Sequence, residues 1–174
     1  MTVLTFFLIG IWCATLEVPR VKASGSIYIR ANGSIDPPTV PISSTDNVTY
    51  TFTGDINDSI VVERSNIIID GNEYTVQGSG SGDGFDLQGV SNVTIKNANV
   101  KEFYCGIHLV SSSNNNISGN NITANNSHGI FLHLYSDRNT INGNNVIANN
   151  DDGISLFYSS LNTISGNNIT ANNG

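Results

Sequence analysis

Cysteine is almost absent from this chain. Two occur in 174 residues, Cys13 and Cys105, and Cys13 lies in an apolar N-terminal run, so a processed chain would hold one thiol and no internal disulfide. Methionine occurs once, at Met1, which excludes a thioether copper site. Basic charge is scarce as well. Seven Lys and Arg face fourteen Asp and Glu, for a net charge of -7 and a pI near 4.6. Nucleic acid and anionic membrane surfaces are therefore poor partners. After residue 24 no stretch has the i, i+3, i+4, i+7 apolar stripe of an amphipathic helix. The one long apolar run, Met1 to Leu16, is too short for an ordinary membrane span. Val21-Lys22-Ala23 offers small residues at the -3 and -1 positions of a signal-peptidase site. Residues 1–23 are thus expected to be a signal peptide, giving an extracellular or cell-surface protein with no membrane span in its mature chain. No Lys or Arg precedes Arg20, a departure from the usual basic start of such leaders.

What the chain does have is repetition. Gly106-Ile107-His108-Leu109 returns as Gly129-Ile130-Phe131-Leu132 and Gly153-Ile154-Ser155-Leu156, at spacings of 23 and 24 residues. Ile117-Ser118-Gly119-Asn120-Asn121-Ile122 returns as Ile141 to Val146 and Ile164 to Ile169. Fainter copies reach back through Gly84-Phe85-Asp86-Leu87 to Ile60 and Val62. A Gly/Ser loop, Gly78 to Gly82, accounts for the longer early intervals of 25 and 26 residues. Short alternating apolar runs set among Gly, Asn, Ser and Asp are strand and turn signals, not helical ones. The frame of a leucine-rich repeat is missing, and the period is wrong for hexapeptide or nonapeptide solenoids. The expected fold is all-β: a right-handed parallel β-helix of about five coils of 22–26 residues over 48–174, cut short at its C-terminus. Residues 24–47 are expected to cap the first coil, because open sheet edges must be covered.

Side chains alternate faces along a strand, and equivalent residues of successive coils stack about 4.8 Å apart. The expected inner columns are Phe85-Ile107-Ile130-Ile154, Leu87-Leu109-Leu132-Leu156, Ile95-Ile117-Ile141-Ile164 and Val100-Ile122-Val146-Ile169. An Asn99-Asn121-Asn145-Asn168 column at a turn is expected to form an inaccessible amide ladder. Of eight N-x-S/T sequons, at Asn32, Asn47, Asn57, Asn92, Asn116, Asn121, Asn125 and Asn168, Asn92 and Asn125 read as the better glycan acceptors.

The run Ile56 to Glu63, then Asn66-Ile67-Ile68-Ile69-Asp70-Gly71, then the Asn-x-Ile-x-Gly-Asn-x-Ile repeats resemble the NosD-like β-helix proteins. These belong to the pectate-lyase-like superfamily and are abundant among secreted and surface proteins of archaea. The resemblance covers residues 26–174 and implies carbohydrate binding, sugar hydrolysis or periplasmic copper handling. The matching residues are structural Gly, Asn and Ile, so the chemistry must come from the outward columns. One reads Asp83, Cys105, His128, Asp152; the next Asp86, His108, Phe131, Ser155; the third Gln88, Val110, His133, Phe157.

Those columns place all three histidines on one face, and the leading expectation is a structural or adhesive protein that binds polysaccharide or a cell-surface glycan there. Asp86, His108, Phe131, His133, Phe157 and Asp152 are the candidate contacts. A second reading is a polysaccharide lyase or hydrolase using Asp83 and Asp86, or Asp151 and Asp152, as carboxylate pairs. It is disfavoured because these acids sit at ordinary turn positions and the cations Arg30, Arg64, Lys96, Lys101 and Arg138 share no column with an acidic cluster. No catalytic residue and no cofactor is assigned. A third reading is metal binding, with Cys105, His128 and His108 as weak zinc or copper ligands brought together by coil stacking.

Overall fold

A computed structural model describes residues 25–174; the expected leader, residues 1–23, lies outside the described residues. No helix among the described residues is long and apolar enough to cross a membrane. The chain enters through four short strands, β1 (Ile27–Ile29), β2 (Ile35–Asp36), β3 (Ile42–Ser43) and β4 (Thr49–Phe52). Each following coil then contributes three. They are β5 (Ile60–Val62), β6 (Ile67–Asp70) and β7 (Thr75–Gln77); β8 (Asp83–Gln88), β9 (Val93–Lys96) and β10 (Asn99–Lys101); β11 (Cys105–Val110), β12 (Asn116–Ser118) and β13 (Asn121–Thr123). The last two coils hold β14 (Ile130–His133), β15 (Thr140–Asn142) and β16 (Asn145–Ile147), then β17 (Ile154–Phe157), β18 (Thr163–Ser165) and β19 (Asn168–Thr170).

Every third strand stacks on its counterpart, so the coils build three sheets around one core. The first runs β17-β14-β11-β8-β5-β1-β2, the second β18-β15-β12-β9-β6-β4-β3, and the third β19-β16-β13-β10-β7. All inter-coil pairings are parallel, whereas β2 folds back antiparallel on β1, and β3 on β4, at the N-terminal end. The register matches the sequence repeat: Ile107 lies between Phe85 and Ile130, and Ile130 next to Ile154. Ile117 likewise lies between Ile95 and Ile141, and Ile122 between Val100 and Val146. The inner columns are buried through the fourth of these coils. In the last one, Leu156, Ile164 and Ile169 are 39%, 42% and 45% exposed, because they pack on one side only.

Two kinds of glycine make the coil possible. Gly119, Gly143 and Gly166 take φ near +60° at the corner between the second and third sheets, a conformation that costs other residues strain. Gly106, Gly129 and Gly153 have ordinary φ but no room. A Cβ on Gly129 would lie 2.4 Å from Val146 Cγ1 and 2.6 Å from the Gly153 carbonyl oxygen.

The asparagines need a correction. Asn99, Asn121, Asn145 and Asn168 do form an amide ladder, with Nδ2 to Oδ1 distances of 3.4, 2.7 and 2.7 Å. However, they open strands and face outward; Asn121 is half-buried and Asn168 exposed. The inward ladders are Asn115-Asn139-Asn162, Asn120-Asn144-Asn167 and Asn125-Asn149-Asn172, one at each corner region, with the first two members of each buried and the third half-buried. In the second, the backbone N–H of Asn120 donates to Asn144 Oδ1 (3.0 Å), while Asn144 Nδ2 donates to the Ile117 carbonyl (2.9 Å). At a corner the backbone leaves its sheet and would strand a buried donor and acceptor; one amide side chain from the next coil supplies both. Asn125 is 1% exposed and engaged in this way, so it is no acceptor for a glycan in the folded chain. Asn92 is exposed.

Candidate functional site: a histidine and aspartate face

The outward side of β8, β11, β14 and β17 collects the chemistry. Strand alternation points Asp86, His108, Phe131 and Ser155 outward in one row, and Gln88, Val110, His133 and Phe157 in the next. A rung spacing of about 4.8 Å is also an aromatic stacking distance, so rings in this surface meet one another. Phe131 lies 5.1 Å from His108 at 7° and 5.1 Å from His133 at 14°. His128 approaches the same ring at 4.7 Å, tilted by 46°. All three histidines of the chain thus gather around one phenylalanine.

On strand alternation alone these rings are expected to offer their faces to a sugar. In the fold, His108 and Phe131 turn toward each other, and the free aromatic surface lies further along. Phe157 is 50% exposed and meets Tyr158, 68% exposed, edge-on at 4.4 Å. Tyr135, 70% exposed, sits one coil back, its N–H bonded to the Tyr158 carbonyl. Tyr135 and Tyr158 were missed, although their separation of 23 residues is the repeat itself.

Two groups of potential metal ligands flank the rings. Asp83, Asp86 and His108 each bring one donor atom within 4.8 Å of the other two, and so do His128, Asp151 and Asp152. In the first, His108 Nδ1 lies 2.9 Å from Asp83 Oδ2, with both side chains 20% exposed. Burial, reinforced by the Asp83 charge, holds the Asp86 carboxyl above the usual carboxylate range, while His108 opposes that rise. The buried Nε2 of His108 has no hydrogen-bond partner. In the second group, His128 Nδ1 is buried and unpartnered, 3.8 Å from Asp152 and 3.9 Å from Asp151.

His108 and His128 therefore belong to different groups, and Cys105 to neither. Cys105 is buried, and burial together with the Asp83 charge pushes its thiol up to about 12. That leaves imidazole and carboxylate donors, a set that suits copper(II) or zinc and not copper(I), which prefers soft sulfur. Of the six residues expected at the site, Asp86 joins His108, Phe131 and His133 join the ring cluster, Phe157 extends it, and Asp152 falls beside His128.

Two of the cations pair with carboxylates away from this face. Arg30 follows β1, separated from β8 by β5. Its guanidinium lies 3.9 Å over the Tyr28 ring and pairs with Asp36 and Glu63. Lys96 pairs with Asp70 at 3.0 Å.

These observations define a parallel β-solenoid with one chemically varied strand face, and the chain's ancestry agrees with that class. Residues 22–174 match the family described as periplasmic copper-binding protein (NosD), and the chain belongs to this family. No curated protein and no solved structure gave a match.

Proposed function

We propose that this protein is exported to the periplasm or cell surface and there binds a divalent metal ion, copper(II) first among them, through Asp83, Asp86 and His108. One observation carries the reading: two carboxylates and an imidazole from adjacent coils converge, half-buried, with His108 Nδ1 and Asp83 Oδ2 at 2.9 Å. These donors fit a borderline divalent ion by chemistry. A bound ion would also offset the burial and the Asp83 charge that raise the Asp86 carboxyl above its ordinary range. The family's description names copper, and the absence of an accessible thiol among the described residues directs the choice to the oxidised ion. Titrating the whole chain with copper(II) by calorimetry should give saturable binding. Asp83→Asn with Asp86→Asn should weaken it at least about tenfold, or 1.4 kcal/mol. Equal affinity in that variant refutes the site, and absence of any copper or zinc binding refutes the function.

A second reading, adhesion to a glycan, is favoured by the exposed rings of Phe157, Tyr158 and Tyr135, which continue the row begun by His108, Phe131 and His133, with Asp86 and Asp152 as acceptors. Here Phe157→Ala with Tyr158→Ala should abolish retention on a glycan array without changing the circular dichroism; a parent protein that binds no glycan dismisses the idea outright.

A further inference from the structure

His128, Asp151 and Asp152 form a second, separate grouping with a peculiarity of its own. His128 precedes β14, whereas the two aspartates precede β17 in the following coil. Its buried Nδ1 has no hydrogen bond, although carboxylate oxygens stand at 3.8 and 3.9 Å. That gap is too wide for a hydrogen bond, which needs about 2.7–3.2 Å. It is close to what one ion with bonds of about 2.0–2.2 Å bridges after a small closing movement. No disulfide secures the described residues, and in a solenoid each coil is held by its neighbours alone, so an ion shared by two successive coils would add a tie that the backbone ladder does not supply. Gly174 seats against the same carboxylate: a Cβ there would lie 2.4 Å from Asp152 Oδ1.

We infer that His128, Asp151 and Asp152 bind a second divalent ion that ties the coil of β17 to the coil of β14, making the order of β17, β18 and β19 depend on metal. This rests on the reading of the face as metal-binding and adds to it a distinct site with a structural consequence. An opening between these two coils that separates His128 from the aspartates releases the ion, so bound metal opposes that opening by mass action.

The test is amide exchange on the whole chain, read by NMR, in chelator and in zinc, which takes the same donors without redox chemistry. The informative amides are Thr163, Asn168 and Asn173, whose N–H groups donate to the carbonyls of Asn139, Asn144 and Asn149 in the preceding coil. With free zinc about 100 times its dissociation constant, their exchange should slow about 100-fold. Asp151→Asn with Asp152→Asn should abolish the slowing while leaving zinc binding at Asp83, Asp86 and His108 intact. Zinc binding with unchanged exchange at those three amides overturns the clip alone, and so does slowing that survives in the variant. No zinc binding anywhere overturns the clip together with the proposed function.

Discussion

The outward rows of the first and third sheets are built on the same backbone and could hardly differ more. In the third sheet, after Thr75 on β7, the row reads Asn99, Asn121, Asn145, Asn168, one residue repeated along an amide ladder. In the first it reads Asp86, His108, Phe131, Ser155, four residues with no common property. Where stacking dictates the side chain, the repeat is strict; where the surface is free of that demand, it drifts. The face that carries the drifting row, with the columns on either side of it, holds the histidines, the ring cluster and both ligand groups. In this solenoid, chemistry is found where the repeat fails.

That contrast can be broken or sharpened experimentally. The largest loss should come from the strictest position, the buried ladder. Asn144→Ala strands the Asn120 N–H and the Ile117 carbonyl, two buried groups at about 1–3 kcal/mol each. A loss of about 3 kcal/mol in urea unfolding is expected, and less than 1 would show that the ladder is ornamental. Next comes Gly129→Ala, where a Cβ must press on Val146 and the Gly153 carbonyl. About 2 kcal/mol is expected from such overpacking.

Asp86→Asn, in the drifting row, should act in the opposite direction. The folded-state pKa of Asp86 is raised by burial and by Asp83. Its favourable contribution is therefore complete below the ordinary carboxylate pKa and is lost as pH climbs through the raised value. In chelator, the variant should match the parent at about pH 3 and melt slightly higher at neutral pH; a lower melting point there contradicts the assignment. The smallest effect belongs to Asn145→Ala, on the outer ladder. Its hydrogen bonds are partly solvated, and about 0.5 kcal/mol is expected, well short of its buried neighbour Asn144.

Much of this architecture could be read from residue order. Ile107, Ile130 and Ile154 align because a strand period of two and a coil period of 23–24 leave one arrangement that buries them all. The asparagine assignment went astray by one position. In Asn120-Asn121 and Asn144-Asn145 two amides stand side by side, and composition does not say which one turns inward. The strand that starts at the second of each pair decides it. At the site, column membership correctly put Asp86 beside His108 and His133 beside Phe157. It did not foresee that rings at rung spacing stack on one another, nor that Asp83 would reach across to His108 while Cys105, in the same column, turned into the wall. Those outcomes depend on rotamers, which a periodicity does not specify.

The corner amides also bear on how such a protein changes length. Each of Asn120, Asn144 and Asn167 completes the backbone of the coil before it, so every winding is finished by its successor. An insertion or deletion of one whole repeat keeps every such handshake, whereas one of a few residues within a corner leaves a donor facing the wrong partner. Gene duplication can therefore lengthen or shorten this molecule only in complete turns, with loose changes tolerated in loops such as Gly78 to Gly82 that stand outside the winding.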